Sequence, residues 1–328
     1  MQLERSIALL FGIGVLMTSR AARAAELTCP SSATLEALVS CIRGQMPGGD
    51  SGVFVAPSAA QMDAWRSAVR AMLRGTCSAA LPPALSPFMQ RRILRDGESG
   101  RRYCALLEIA DRNGDRIVDR GVGTFIVDAA AERELSHQAA HPLADVGTEL
   151  EAVTLFKETR SRSFLMAGAH RDASFAASNC QSASTSSDVA HDVANVFHAS
   201  QLELASHYGS TPWWTIQWHG MAAGTCASVD VHLSHGVDAA PTDADRILAL
   251  RRNLLVYRPA WRVGVPGSQL CSRNATTNVQ GRFLNGVPAG RVCGSAAGRA
   301  SGRFVHIEQD PGFRDPDSWI AAVMDTWP

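Results

Sequence analysis

The 328-residue sequence has no apolar segment approaching the ~20 residues that a bilayer-spanning helix requires, so we predict no membrane span. It also has no cluster of basic residues, since 31 Lys and Arg are balanced by 31 Asp and Glu and only Lys157 is a lysine. A near-neutral chain of this kind suggests neither nucleic acid nor an anionic membrane as a partner. The absence of Gly-x-Ser-x-Gly, Walker and Gly-x-Gly-x-x-Gly motifs disfavours a serine-hydrolase elbow and nucleotide chemistry.

The N-terminus has the features of an exported precursor. Arg5 precedes an apolar run over residues 7–17, and small residues two apart stand just ahead of Ala25. A basic start, a short hydrophobic stretch and such a small-residue site are typical of a signal peptide. We therefore expect residues 1–24 to be removed and the mature protein to be periplasmic or extracellular.

Eight cysteines lie beyond the expected signal peptide, and their even number in an exported chain predicts four disulfides. None stands in a Cys-x-x-Cys pair, so a thiolate zinc site is not expected. Eight cysteines allow many pairings, and the sequence does not choose among them. Neighbour pairing, of Cys180 with Cys226 and of Cys271 with Cys293, is one hypothesis.

Residues 25–100 and 101–328 differ in their hydrophobic pattern. In the first segment Leu35, Leu38 and Ile42 recur at helical spacing and prolines punctuate the rest, which predicts a small helical cap tied by disulfides. In the second segment, strand-like and helix-like stretches alternate. This alternation predicts an α/β fold in which a mainly parallel or mixed sheet is flanked by helices, and we expect this segment to be the catalytic domain.

The segment Asp111-Arg-Asn113-Gly114-Asp115 separates two predicted strands, and Asn-Gly favours a tight turn. Its acidic spacing is also similar to that of a calcium loop, but its glycine is out of place and no glutamate follows at the twelfth position. We therefore predict a turn.

Polar clusters follow three of the predicted strands. In open α/β sheets, ligands bind outside the carboxyl ends of the strands. Imidazoles and carboxylates at such ends are the donors that a metal hydrolase uses. We therefore predict a metal site there. The clusters are His141-Pro-Leu-Ala-Asp145-Val-Gly-Thr-Glu149, Trp218-His219-Gly220 and His306-Ile-Glu308-Gln.

His141 and Asp145 are the first two predicted zinc ligands. Pro142 ends the strand and Thr148 begins a helix, so the loop between them can fold an imidazole and a carboxylate onto one ion. Glu149 is the alternative carboxylate ligand. In the competing interpretation both carboxylates cap the helix and His141 lies on the surface.

His137 stands four residues before His141, and its role depends on the local structure. In a strand the two imidazoles are too far apart to share one ion, whereas in a helix they would be neighbours. Because we predict a strand, we do not expect His137 to be a ligand.

His219 is the third predicted ligand, and Glu308 is the predicted general base and acid. His219 ends a stiff β-forming run, and Gly220 allows close approach of a ligand. A catalytic zinc takes three protein ligands and keeps one position open. Strand alternation places His306 and Glu308 on one face, where a carboxylate can accept a proton from water. A hydrogen-bonded structural histidine and a salt-bridged glutamate are the alternatives.

Four further residues are predicted to bind substrate: His170, Arg171, His191 and Arg282. Arg171 follows another strand, and its planar guanidinium can grip a carboxylate in two places, unless it simply pairs with Asp172. His191 stands on a helix predicted over 188–206, where a structural role is the alternative. Arg282 lies in a polar, glycine-rich segment flanked by cysteines, which we predict to be a pinned binding loop or a surface hairpin.

The order of these residues resembles that in the zinc carboxypeptidase-like superfamily, which includes N-formylglutamate amidohydrolases and poly-γ-glutamate hydrolases. The likeness covers roughly residues 135–327 and lies in order and spacing. Carboxypeptidases use His-x-x-Glu, whereas in this chain Asp145 stands at the fourth place after His141 and Glu149 at the eighth. The resemblance implies zinc ligation by His141, Asp145 and His219, general base and acid catalysis by Glu308, and binding of a substrate carboxylate by Arg171.

Together these observations predict an exported zinc-dependent hydrolase that cleaves an amide bond in a carboxylate-bearing peptide, poly-glutamate or cell-wall fragment. Zn²⁺ is the expected cofactor, a small molecule or peptide is the expected substrate, and the protein is expected to be a monomer. Two alternatives belong to other classes. One is a phosphoesterase in which Arg171 and Arg282 grip phosphate, and the other is a non-catalytic disulfide-stabilised binding protein.

Overall fold

The computed structural model describes residues 25–27, 29, 34–268 and 270–328, so the predicted signal peptide lies outside the described residues. These ranges contain eleven β-strands and seven α-helices. The strands are β1 (Ala25–Glu26), β2 (Met89–Arg95), β3 (Arg102–Glu108), β4 (Ala110–Asp111), β5 (Thr124–Val127), β6 (Arg133–Ala139), β7 (Ser161–Met166), β8 (Trp214–Gly220), β9 (Val231–Ser234), β10 (Val263–Gly264) and β11 (Phe304–Gln309). The helices are α1 (Leu35–Arg43), α2 (Ala59–Leu73), α3 (Thr148–Glu158), α4 (Val196–Tyr208), α5 (Arg246–Tyr257), α6 (Val279–Leu284) and α7 (Ile320–Thr326).

Nine of the described strands form one mixed sheet in the order β10-β9-β11-β8-β6-β7-β5-β3-β2, and β1 pairs with β4 outside it. At its centre β7, β6, β8 and β11 run parallel to one another. Antiparallel strands flank this centre, with β5 beside β7 and β9 beside β11. Because parallel neighbours need crossover connections, helices cover both faces. The α/β fold class predicted from the sequence is confirmed.

Two hydrophobic cores lie on the two faces of the sheet. One core contains apolar residues of α1, α3, α5 and α7, and the other contains those of α2 and α4. Successive strand residues point to opposite faces, so Leu107 belongs to the first core and Leu106 to the second. Since both faces are covered, a central strand can be apolar along its length, as Phe164-Leu-Met166 in β7 is.

Residues 25–100 contain helices α1 and α2, as the sequence predicted, and also strand β2. β2 pairs with β3 at the edge of the main sheet. The prediction of a purely helical segment was therefore incomplete, because Met89–Arg95 includes three arginines and lacks a clear apolar alternation. Charged side chains are common on edge strands, where they discourage pairing with other chains. The division of the chain near residue 100 stays a prediction.

Four disulfides pair all eight cysteines in the described part of the chain, which confirms their predicted number. The neighbour-pairing hypothesis was wrong for Cys180 and Cys271. The fold, and not sequence separation, decides which Cα atoms lie within bonding range. Cys180 and Cys293 are 113 residues apart in sequence, yet their Cα atoms are 4.8 Å apart. The pairs are Cys29–Cys41, Cys77–Cys104, Cys180–Cys293 and Cys226–Cys271.

The polar, glycine-rich segment around Arg282 was predicted to be a binding loop or a surface hairpin, and this prediction was wrong, because the segment contains helix α6. Gly281 makes this helix difficult to predict from the sequence. A Cβ at this position would lie 2.5 Å from the Phe304 ring, so glycine allows α6 to pack directly on β11. The side chain of Asn278 caps the helix by accepting the main-chain N–H of Gly281.

The helix predicted from residue 188 begins later, at Val196, with Asn195 as its N-cap. The turn predicted after Asp111 is present, and the Asp111 carboxylate accepts main-chain N–H groups there, including that of Gly114 at 2.7 Å. Across the described ranges, no helix combines the length and apolar character needed to cross a membrane.

Candidate metal centre

The loop after β6 folds back over the end of its strand. The main-chain N–H of Asp145 donates to the carbonyl of His141 at 2.7 Å, and the hydroxyl of Thr148 donates to the carbonyl of Asp145 at 2.8 Å. Gly147 adopts a φ of 95° just before α3, a left-handed conformation that favours glycine. This tight turn, in which His141 and Asp145 are buried, fixes the directions of their side chains.

His219 reaches the same point from the neighbouring strand, β8. The Nδ1 atoms of His141 and His219 lie 3.3 Å and 3.2 Å from one oxygen, Asp145 Oδ2. Each of the three buried residues offers one ligand atom, and these atoms lie within 4.8 Å of one another. The fold therefore brings the three predicted ligands into one possible metal site.

The opposite nitrogen of each imidazole faces an acceptor. Nε2 of His141 lies 3.0 Å from Asp188 Oδ1, and Nε2 of His219 lies 3.4 Å from Gln217 Oε1. A histidine that donates from Nε2 keeps a lone pair on Nδ1, and metal-binding histidines are oriented by such partners. When both imidazoles are neutral and donate from Nε2, their Nδ1 lone pairs converge beside Asp145. Two imidazole nitrogens and a carboxylate oxygen are a donor set that suits zinc.

The charges around the imidazoles favour a cation at this point. Burial disfavours charged His141, but Asp188 and Asp145 outweigh burial and raise the pKa of His141 to about 10. Burial also opposes ionisation of the carboxylates, yet the imidazoles hold the pKa of Asp145 well below its usual range and that of Asp188 at about 2. A proton or a metal cation can meet this demand for positive charge.

Glu308 and His306 lie on β11, beside β8, and both line the cavity above the centre. The His306 ring lies against that of His219, with centroids 4.6 Å apart, and its Nε2 is 3.7 Å from Glu308 Oε1. Burial raises the pKa of Glu308, while burial and the nearby His219 lower the pKa of His306. Glu308 therefore takes up a proton more readily than an exposed carboxylate does, beside a neutral imidazole.

Two residues that the sequence left open lie away from the three converging ligand atoms. His137 is buried in β6, as the strand prediction required, and its Nδ1 accepts the indole N–H of Trp218 at 3.1 Å. Glu149 is paired with Arg43 at 3.0 Å. Asp145, and not Glu149, is the carboxylate that lies between the two imidazoles.

A cavity of about 760 Å³ opens above these side chains, and Arg171, Arg273, Arg314 and His191 contribute to its lining. The exposed Arg171 lies with its Nε 3.8 Å from Asp172. Arg273 is also exposed, and within the described residues its side chain has no hydrogen bond or ion pair. The cavity therefore offers two exposed guanidinium groups, of which Arg273 is the less engaged.

The other two predicted substrate residues do not line this cavity. Arg282 donates to three main-chain carbonyl oxygens at 2.8–2.9 Å, which places its guanidinium in the support of the loop around α6. His170 is partly buried, and its Nδ1 accepts the main-chain N–H of Asp172 at 3.0 Å. Of the four residues predicted to bind substrate, only Arg171 and His191 lie at the cavity.

Three residues of this site were not anticipated: Asp188, Arg273 and Arg314. Asp188 stands where the sequence predicted a helix start, and an acidic residue there is expected to be a cap. The two arginines are among many in the chain, and no local motif distinguishes them. Only their positions in the sequence could have pointed to them, since Arg314 stands six residues after Glu308 and Arg273 stands two residues after Cys271.

No protein-family model matches the chain, and no curated protein matches it. Among solved structures it is similar to the gene product Atu2144 of Agrobacterium tumefaciens, with a TM-score of 0.33 and 11% identity over 59% of this chain and 86% of that one. It is also similar to a metallo-carboxypeptidase from Burkholderia cenocepacia, with a TM-score of 0.32 and 12% identity over 78% of this chain and 66% of that one. Because both TM-scores are below 0.5, neither match supports an activity for this chain. The N-formylglutamate amidohydrolase and poly-γ-glutamate hydrolase resemblance stays a prediction.

Proposed function

We propose that this chain is an exported zinc-dependent hydrolase that cleaves an amide bond in a carboxylate-bearing peptide, poly-glutamate or cell-wall fragment. The supporting observation is the convergence of His141, Asp145 and His219 on one point, with Glu308 beside His219 on the adjacent strand and in the lining of the same cavity. Export is supported by four disulfides, because such bonds persist in oxidising compartments.

His141 and His219 would hold the ion through Nδ1, and Asp145 would hold it through a carboxylate oxygen. When bound, zinc supplies Lewis-acid polarisation of a carbonyl and lowers the pKa of water. Asp188 and Gln217 keep the imidazoles in the required tautomer by accepting from Nε2. The chain thus contributes three ligands and leaves room for substrate.

Glu308 acts as general base and then as general acid. Its carboxylate lies at the cavity wall, and burial raises its pKa, so it can accept a proton from water and donate it to the leaving amine. His306 lies beside it, with Nε2 3.7 Å from Glu308 Oε1. Arg273 and Arg171 provide exposed guanidinium groups for a substrate carboxylate.

Metal analysis of the purified protein tests the site. We expect about one zinc per chain in the wild type, and loss of zinc in His141→Ala and His219→Ala, because a two-ligand site binds zinc weakly. His207→Ala is the matched control, since His207 is exposed on α4. Zinc content that is unchanged in both ligand variants excludes these residues as ligands.

Glu308→Gln tests the proposed chemistry. On N-acyl-glutamate and γ-glutamyl amide substrates we expect a loss of kcat of roughly 10²–10⁴-fold with zinc content unchanged, because the amide cannot transfer the proton. Full activity of this variant eliminates Glu308 as the base. Hydrolysis of p-nitrophenyl phosphate in place of the amides supports the phosphoesterase instead.

A further inference from the structure

The Arg314 guanidinium connects three main-chain segments around the candidate metal centre. Its Nη1 donates to the carbonyl of Val146 at 2.7 Å. Its Nη2 donates to the carbonyl of Met221 at 2.9 Å and to that of Gln309 at 3.1 Å. All three acceptors are main-chain atoms, so the contact depends on the donor side chain rather than on which side chains stand at the acceptor positions.

These acceptors belong to segments that are distant in sequence and meet at one end of the sheet. One guanidinium therefore joins the loop after β6, the end of β8 and the end of β11. Each acceptor stands within two residues of a side chain of the proposed site: Val146 follows Asp145, Met221 stands two after His219, and Gln309 follows Glu308.

Gly220 provides independent evidence that this contact is built into the chain. A Cβ added to Gly220 would overlap Cζ and Nη2 of Arg314, so a side chain at this position would have to displace the guanidinium. The φ of Gly220 is outside the left-handed region, so its backbone conformation does not require glycine. Glycine at this position leaves the space that the guanidinium occupies, directly beside His219.

We propose that Arg314 is a positioning residue for the metal centre, an inference that rests on the proposed function. By holding three segments at fixed separations, it sets the distances among the two imidazoles, the Asp145 carboxylate and the Glu308 carboxylate. Arginine suits this role because its planar fork offers several donors in fixed directions, whereas the lysine ammonium is a compact group on a flexible stem.

Zinc affinity measured by chelator competition, without substrate, tests the role in the intact protein. We expect Arg314→Met and Gly220→Ala each to weaken zinc binding by roughly 10- to 100-fold, as loss of outer contacts to metal ligands does. The double variant should bind no more weakly than Arg314→Met, because Gly220→Ala acts by displacing the same guanidinium. Arg314→Lys should restore only part of the affinity.

Arg303→Met is the matched control. Arg303 also donates to two main-chain carbonyls, those of Gly209 and Ser210, at the opposite end of β11. It should lose comparable stability and keep wild-type zinc affinity. Equal zinc affinity in Arg314→Met and the wild type overturns the positioning role, and a rise in KM alone makes Arg314 a substrate anchor instead.

A readout that needs no metal separates this inference from the proposed function. In the metal-free protein, the imidazole NMR signals of His141 and His219 should shift in Arg314→Met and Gly220→Ala but not in Arg303→Met. If the wild type binds no zinc, the proposed function fails, and the imidazole signals still decide whether Arg314 positions these histidines. Unshifted signals in both variants contradict the positioning role.

Discussion

At the scale of single residues, a neighbouring side chain determines which ring nitrogen of each site histidine faces Asp145. Asp188 accepts from Nε2 of His141, and Gln217 faces Nε2 of His219, so both Nδ1 atoms are free to face Asp145. Gln217 Oε1 also accepts from Asn278 at 2.8 Å, which fixes the acceptor itself. The directions of the two imidazoles therefore depend on residues other than the three proposed ligands.

Asp188→Asn tests this dependence. The amide oxygen can still accept from His141 Nε2, but it lacks the charge that strengthens the bond, so we expect zinc affinity to fall by roughly 10- to 100-fold. Asp192→Asn is the control, because Asp192 is also buried but bonds Ser178 and Ala194 rather than a histidine. Chelator competition measures both, and equal affinities in the two variants contradict the role of Asp188.

Arg273→Met tests which arginine binds the substrate carboxylate. We expect KM for an acidic amide substrate to rise roughly 10- to 100-fold with kcat little changed, because a charge-assisted hydrogen bond is lost in ground and transition states alike. Arg171→Met should have a smaller effect, since Asp172 already lies 3.8 Å from Arg171. A substrate without the second carboxylate should not distinguish Arg273→Met from the wild type. A larger rise in KM for Arg171→Met than for Arg273→Met would make Arg171 the residue that binds the substrate carboxylate, as the sequence predicted.

At the scale of elements, the sequence predicts well where apolar pattern and turn chemistry agree. β6 and β8 end at predicted polar clusters near Pro142 and Gly220, and β11 ends at Gln309 within the third cluster. α6 could not be predicted, since Gly281 is chosen for its contact with Phe304, which only the fold brings near. Residue pairs such as these depend on tertiary distance, which a single sequence does not contain.

The loop over residues 271–278 is held in place by contacts on both sides of Arg273. Cys271 is bonded to Cys226, and Asn274 accepts from His232 Nε2 at 2.8 Å, so Arg273 lies between two fixed points. A flexible loop would present the same guanidinium over a wide range of directions and lose binding energy when it orders.

Replacing Cys226 and Cys271 by serine tests the importance of this order. We expect a loss of about 2–4 kcal/mol in the free energy of unfolding, together with a several-fold higher KM for acidic substrates. The same change at Cys29 and Cys41, which lie outside the cavity lining, should lower stability and leave KM unchanged. Urea titration and steady-state kinetics measure the two effects, and equal KM values in both pairs contradict the proposal.

At the scale of the whole molecule, the site lies where the chain changes direction across the sheet. From β6 the chain passes through α3 to β7 on one side, and then through α4 to β8 on the other side of β6. The connections that follow β6 and β7 therefore cross opposite faces of the sheet, because α3 and α4 belong to different cores. Ligand crevices in open α/β sheets form at such switch points. His141 follows β6 and His219 lies at the end of the adjacent parallel strand β8, which is why residues far apart in sequence converge.

Glu108 links the stability of the whole fold to pH. Its carboxylate accepts the main-chain N–H groups of Arg120 and Val122 at 2.9 Å and 2.8 Å, and burial raises its pKa from 4.5 to about 7. The folded state therefore binds this proton more tightly than the unfolded chain. The resulting stabilisation is fully present below about pH 4.5 and is lost as the pH rises to about 7.

Glu108→Gln should remove this contribution. Between pH 5 and pH 8 we expect the variant to gain on the order of 3 kcal/mol of unfolding free energy relative to the wild type, because only the wild type must ionise a buried carboxyl over this interval. The amide leaves one main-chain N–H poorly paired, but this loss does not depend on pH and cancels when the two pH values are compared. Urea unfolding of both proteins at each pH measures the difference. If the unfolding free energies of the two proteins change equally with pH, the pKa of Glu108 is not raised in the folded state. Its two main-chain contacts then stabilise the carboxylate enough to offset its burial.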